Sequence, residues 1–163
     1  MTTTIFESPL GLIRIAGDEN GVSVISCLDV PAQETQPVDS LAGPVQEAVR
    51  QLQEYFKGER QTFDFLMNPA GTDFQQTVWK ALLEVPFGTT LSYLALSRRM
   101  GDEKAIRAVA AANGRNPLWI VVPCHRIIGS DGSLTGYAGG LWRKKWLLEH
   151  EGAFARSSQL SLF

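Results

Sequence analysis

The sequence predicts an α+β protein in two parts, strands with one helix first and a mainly helical segment second. Three observations lead there. Over residues 5–28 apolar residues come in short runs between turn signals, as strands do. Beyond Thr72 they recur every three or four residues, as on one face of a helix. Between these stretches Asn68-Pro-Ala-Gly-Thr72 interrupts both patterns. The expected divisions are residues 1–70, residues 71–152 and a C-terminal tail, 153–163.

Taken in order, residues 5–16 read as a strand, a turn at Ser8-Pro-Leu-Gly11 and a second strand. Asp18-Glu-Asn-Gly21 is a turn signal, and residues 21–28 form a third strand whose Cys27 reads as a small buried hydrophobe. Residues 30–43 are rich in Pro, Gln, Ser and Asp and read as a loop. Val45, Val49, Leu52 and Phe56 have helical spacing, and Phe63-Asp-Phe-Leu-Met67 reads as a short strand. Thr72 can cap a helix running to about Glu84, with Phe74, Val78, Ala81 and Leu82 on one face and Pro86-Phe-Gly88 ending it. Residues 91–100 and 104–113 form two helices about a turn at Gly101-Asp-Glu. That is the outline of a helix-turn-helix, shared by any αα-hairpin. The second helix carries Ala105, Ala108, Ala110, Ala111 and Ala112, with Arg107 its one long cation after Lys104. So flat a surface suits close approach to a phosphate backbone or groove, and suits tight core packing equally. A last helix covers residues 140–150.

Composition narrows the function classes. Of the 163 residues 44% are hydrophobic, enough for a packed core, yet no apolar run approaches the ~20 residues of a membrane span. The N-terminus lacks the basic-then-apolar layout of a signal peptide, so a cytoplasmic protein is expected. Two cysteines, Cys27 and Cys124, exclude a disulfide framework and a four-thiolate zinc site; in a reducing compartment both are free thiols. The net charge of −2 is unevenly spread: residues 1–72 carry −6 and residues 73–163 carry +4. A basic second half is one mark of a protein that meets a polyanion.

Chemistry concentrates in Trp119-Ile-Val-Val-Pro-Cys-His-Arg-Ile-Ile-Gly129. A β-branched run delivers Pro123-Cys124-His125-Arg126 and resumes at Ile127. Burying a histidine and an arginine there costs free energy unless each is partnered. A thiol with a pKa of about 8.5 needs a base or a cation beside it to act as a nucleophile at neutral pH. His125 and Arg126 supply candidates, and Glu149 and Glu151 are the nearest acids that could orient the imidazole. Neighbours in a strand point to opposite faces, so Cys124 and His125 are expected to meet through a turn or a water.

Pro123-Cys124-His125-Arg126, with Asn116-Pro117 before it and Gly136-Tyr-Ala-Gly-Gly140 and Trp146-Leu-Leu-Glu-His-Glu151-Gly152 after it, closely resembles the O6-alkylguanine-DNA alkyltransferases over residues 71–152, and more loosely over the first half. The resemblance implies an RNase H-like α/β roll followed by a helix-turn-helix, winged-helix-like domain. It implies DNA repair by irreversible, one-time transfer of the alkyl group of O6-alkylguanine to Cys124 after nucleotide flipping, leaving O4-alkylthymine open as a second substrate. His125 would take the thiol proton through a water, Glu151 would hold His125, and Asn116 would brace the turn. Tyr93 would press the 3′ phosphate as the base rotates, and Arg107 would fill the gap in the duplex. Lys104, Ala108 and Arg126 would join Arg107 on the DNA, in the minor groove. The Ile127 carbonyl, with the backbone at Tyr137, Ala138 and Gly139, would read the guanine edge. The protein would act as a monomer, without metal or cofactor. A catalytically silent binder of alkylated DNA and a helix-turn-helix regulator are the alternatives; relatives of the first kind replace the acceptor cysteine, which is present here as Cys124, and the second gives no reason for Cys124, His125 and Glu151 together.

Two residues depart from the family's pattern. Ala138 stands where many relatives have serine, which removes a hydroxyl from the pocket. Trp119 stands where a smaller residue is usual, a core-packing residue or one that narrows the pocket against bulky adducts. The terminal Gln159-Leu-Ser-Leu-Phe163 resembles the pentapeptide by which bacterial repair proteins dock on the sliding clamp, with Leu162 and Phe163 as apolar anchors.

Overall fold

The computed structural model describes residues 1–29 and 40–154; the terminal Gln159–Phe163 segment lies outside them. The chain divides into two compact units: Met1–Ala70 with Pro117–Trp119, and Gly71–Asn116 with the residues from Ile120 on.

In the first unit β1 (Thr2–Ser8), β2 (Gly11–Asp18) and β3 (Gly21–Leu28) form an antiparallel meander in the order β1-β2-β3. Alternation sends Ile13 and Ile15 inward with their neighbour Ile25, and the bulge in β3 turns Val22 to the same side; all four are fully buried. The β2–β3 register slips at Ala16/Gly17, and a Cβ on Gly17 would lie 2.6 Å from the Gly21 carbonyl oxygen, so only glycine allows this approach. Helix α1 (Gly43–Phe56) buries Val45, Ala48, Gln51, Leu52 and Tyr55. Its buried stripe therefore runs through Ala48 and Tyr55, where the sequence reading had Val49 and Phe56.

Two other expectations change here. Phe63–Met67 forms no strand; Met67 alone makes a parallel bridge to Val22. Leu118 likewise bridges Ile25, with the Ile25 N–H donating to the Pro117 carbonyl (2.8 Å) and the Trp119 N–H to the Ile25 carbonyl (3.1 Å). Cys27 is only half-buried, although it pairs with Ile13 and shares its face with Ile25, because it lies near the end of β3.

The second unit opens with α2 (Asp73–Leu82). Thr72 and Gln75 cap it reciprocally, each side chain bonded to the other's backbone N–H. It buries Val78, Trp79 and Leu82, while Phe74 stays 41% exposed. Trp79, not Phe74, completes the packed face because its indole N–H finds a buried acceptor in the Ala112 carbonyl (2.9 Å). After β4 (Leu91–Ser92), the Ser92 hydroxyl caps α3 (Tyr93–Arg99). A turn at Gly101 (φ +90°) and a 3₁₀ turn, Glu103–Ala105, lead into α4 (Ile106–Gly114). β5 (Ile127–Ile128) pairs in parallel with β4, and α5 (Leu141–His150) closes the described part. Gly140 enters α5 at φ +93° and ψ 148°, a backbone region open essentially to glycine alone. Among the described residues no helix is long and apolar enough to cross a membrane.

Candidate active site

The residues before Cys124 do not continue as a strand. Ile120 adopts φ +74°, an outlier for a β-branched side chain, and remains buried. Pro123, at φ −82° and ψ 62°, forms an inverse γ-turn closed by the Cys124 N–H on the Val122 carbonyl (2.8 Å). Cys124–Arg126 then make one turn of 3₁₀ helix, which delivers Cys124 and His125 from a turn instead of from opposite faces of a strand. The Asn116 amide donates to the Val122 carbonyl (2.7 Å) and the Asn113 amide to the Cys124 carbonyl (3.5 Å), so two asparagines grip the turn.

Cys124, His125, Arg126 and Glu151 are all buried. His125 Nε2 lies 2.8 Å from Glu151 Oε2. Arg126 forks onto the same carboxylate, Nε to Oε1 at 2.8 Å and Nη2 to Oε2 at 3.0 Å, and gives Nη1 to the Val85 carbonyl (2.7 Å). Burial pushes the Glu151 carboxyl up, but His125 and Arg126 outweigh it and hold it well below the usual carboxylate range. Burial pushes His125 down against the pull of Glu151. Since Arg126 already balances the Glu151 charge, the imidazole stays neutral, with its proton on Nε2 toward Glu151. Nδ1 is then the basic nitrogen, and it meets no protein partner among the described residues. Arg126, expected on DNA, is thus a buried structural partner of Glu151: its guanidinium is the counter-charge that lets the carboxylate stay ionised inside the domain.

Lys144, absent from the sequence reading, is fully buried. Its ammonium bonds the Ile127 carbonyl (2.5 Å) and the Thr135 carbonyl (2.8 Å), and among the described residues no carboxylate pairs with it. Burial pulls it down to about 8, and the Cys124 charge opposes that shift. Burial raises the Cys124 thiol, while the Asn116 hydrogen bond and the Lys144 charge work to lower it. Lys144 is therefore the cation that most favours a thiolate here, since Arg126 is spent on Glu151. A sequence signal existed: Lys144 shares a helix face with the buried Leu147, Leu148 and Glu151. Lys144→Met is expected to raise the apparent Cys124 pKa and to slow thiol alkylation near pH 7 by about tenfold; a pH–rate profile with iodoacetamide measures it.

A cleft of about 660 Å³ is lined by Tyr93, Arg107 and Ala110 from the two helices and by Thr135, Tyr137 and Ala138 from the loop before α5, among others. Tyr93 donates its hydroxyl proton to the Thr135 carbonyl (3.2 Å), and the buried Arg143 donates to the Gly139 carbonyl (3.0 Å). Both bonds, with that of Lys144, fix the lining loop. Ile127, Gly139, Lys104, Ala108 and Trp119 are not in the lining; Trp119 belongs to the first unit. The Ile127 carbonyl already accepts from Lys144. On α4 the alanines divide: Ala112 is buried, Ala110 half-buried, and Ala108 and Ala111 face outward with Lys104, Arg107 and Arg115. Among the described residues no three His, Cys, Asp or Glu side chains cluster as metal ligands.

Residues 73–153 match the family model of the 6-O-methylguanine DNA methyltransferase DNA binding domain, and residues 1–68 that of the family's ribonuclease-like domain. A methylated-DNA--protein-cysteine methyltransferase of Methanosarcina acetivorans is 46% identical over 94% of this chain and 99% of its own length. One from Mycobacterium tuberculosis is 45% identical over 96% and 95%. A crystal structure of Mycobacterium tuberculosis OGT in complex with DNA superposes with a TM-score of 0.83 at 42% identity, covering 100% of this chain and 99% of that one. With both halves matched and a buried Cys-His-Glu set in the second, the chain belongs to the 6-O-methylguanine DNA methyltransferase family.

Proposed function

We propose that this protein repairs DNA by moving the alkyl group of O6-alkylguanine onto Cys124, once per molecule. The observation that carries the reading is the buried set itself: a thiol, a neutral imidazole with one free ring nitrogen, and a carboxylate whose charge is already balanced. The Cys124 proton passes through a water to His125 Nδ1, while Nε2 keeps its hydrogen bond to Glu151. The sulfur attacks the alkyl carbon in line with the C–O6 bond. A sulfur–carbon bond forms, the carbon–oxygen bond breaks, and guanine leaves with the electron pair and picks up a proton. The thioether has no easy way back, so the protein is consumed.

The O6 position lies inside the duplex, and Cys124 is only 5% exposed. The damaged nucleotide must therefore leave the stack and enter the cleft, at a cost of a few kcal/mol. α3 and α4 act as a helix-turn-helix in the minor groove: the outward Ala108 and Ala111 let α4 come close, and Arg107, at the mouth of the cleft, fills the gap. Tyr93 turns the phosphate, and Ala138, in the cleft lining, bears on which alkyl groups fit. The protein works as a monomer in the cytoplasm, with Gln159–Phe163 as a clamp-docking segment.

Arg107→Ala is expected to slow repair of a duplex about tenfold or more, with a small effect on transfer from the free base, because it removes only the support for the flipped state. Rates on the two substrates measure this, and equal losses on both would contradict it. The function is tested by digesting protein treated with an O6-methylguanine duplex and mapping the methyl group. S-methylation at Cys124 is expected; methylation elsewhere, or none, overturns the reading.

A further inference from the structure

We infer that Arg143, covered by the exposed Trp142, is a positioning residue that stiffens one wall of the cleft and so limits the size of alkyl group the protein accepts. The inference rests on the alkyl-transfer reading above. Two features at the start of α5 have no part in that reading. Trp142 keeps its indole 55% exposed. Arg143 stands in the first turn of the helix, where a cation opposes the helix dipole. That turn holds no acidic residue, and Gly140 brings no side-chain cap. A cation placed there needs contacts that offset the unfavourable field.

The structure supplies them. Arg143 is buried, and its Nη1 donates to the Gly139 carbonyl (3.0 Å). Its guanidinium carbon lies 4.6 Å from the centre of the Trp142 ring, within cation–π range. The same indole lies against Gly140, where a Cβ would meet Trp142 Cδ1 at 3.4 Å. One face of the indole thus shields the guanidinium from water, while the rest of the ring is left in solvent. Gly139 follows Ala138, which lines the cleft. Residues 136–140 contain three glycines, so this backbone has little stiffness of its own. Lys144 holds the segment at the Thr135 carbonyl (2.8 Å), and Arg143 holds it at Gly139. Anchored at both ends, the wall does not retreat before a larger substituent on O6. Without the Arg143 bond, Gly139 can shift and carry Ala138 with it, and the cleft admits more bulk. Arg143 is not in the lining, so it acts on the substrate through Gly139 alone.

The test measures transfer rates from duplexes containing O6-methylguanine or O6-benzylguanine, for the wild type, Arg143→Met, Trp142→Ala and Trp142→Phe. Arg143→Met is expected to raise the benzyl-to-methyl rate ratio about tenfold, through loss of a charged hydrogen bond. Trp142→Ala is expected to raise it about threefold, because the bond stays but loses its cover. Trp142→Phe keeps a ring face and should hold the ratio within about twofold of the wild type. A residue needed only for stability would slow both substrates alike, so an unchanged ratio in Arg143→Met and Trp142→Ala overturns the inference. A ratio in Trp142→Phe as high as in Trp142→Ala overturns it as well. Should thermal melts show Arg143→Met unfolded, Trp142→Ala decides alone, since it removes an exposed side chain. No methyl transfer to the wild type overturns the alkyl-transfer reading itself.

Discussion

Cys124→Ser is expected to abolish methyl transfer while leaving binding to DNA nearly unchanged. A serine hydroxyl ionises far less readily than a thiol, and its oxygen is a poorer nucleophile toward a saturated carbon, so a loss of about 10⁴-fold or more is anticipated. The turn that holds the residue does not depend on its side chain. It is fixed by the Pro123 backbone, by the Asn116 bond to the Val122 carbonyl and by the Asn113 bond to the Cys124 carbonyl. Transfer rate and duplex affinity, measured on the same preparation, separate the two effects. A variant that loses affinity as steeply as it loses transfer would contradict this division between chemistry and binding.

Glu151→Gln is expected to damage stability and transfer together. The carboxylate joins one bond with His125 and accepts two from Arg126, all in the interior. Glutamine keeps one acceptor oxygen but sets an NH₂ against the guanidinium and leaves that buried cation without a counter-charge. Breaking one partner of a buried pair costs about 3–5 kcal/mol, a large share of the roughly 5–15 kcal/mol that holds a domain folded. His125 also loses the group that fixes its tautomer, which is expected to slow transfer by about 100-fold. Urea titration and single-turnover rates measure the two losses.

The same cluster sets the response to acid. Glu151 is depressed in the fold, so its stabilisation is present above its ordinary value of 4.5 and is lost as pH falls below that toward the folded value. His125 is also depressed, from an ordinary 6.5. The unfolded chain takes up that proton first, so stability declines as pH drops below about 6.5. Wild-type unfolding midpoints are expected to fall steadily from pH 7 to pH 4. In Glu151→Gln the decline below about pH 4.5 should flatten.

The local chemistry of the chain made the element order legible. Thr72 was legible as a helix cap, to which the structure adds Gln75 as the reciprocal partner, and the start of the last helix was placed at Gly140, where the structure shows a φ that favours glycine. Legibility failed where tertiary partners decide. Residues 120–123 look like a strand from their β-branched side chains, yet Ile120 turns the backbone and Pro123 closes a γ-turn. Phe74 fits an apolar stripe as well as Trp79 does; the Ala112 carbonyl chooses between them. At the site, adjacency and motif spacing exposed Cys124, His125 and Glu151. Arg126 was misplaced on the surface because a charge in a string of letters carries no sign of the carboxylate that buries it. Lys144 was missed for the converse reason: its two partners are backbone carbonyls, which every residue has.

The central claim is that Cys124 accepts one alkyl group and keeps it. Intact mass spectrometry of the protein titrated with an O6-methylguanine duplex tests that most directly. The mass should rise by a single methyl group, reach a plateau at one per protein however much damaged DNA is added, and stay unchanged in Cys124→Ser. Continued loss of O6-methylguanine beyond one equivalent, with the protein's mass unaltered, would contradict the account.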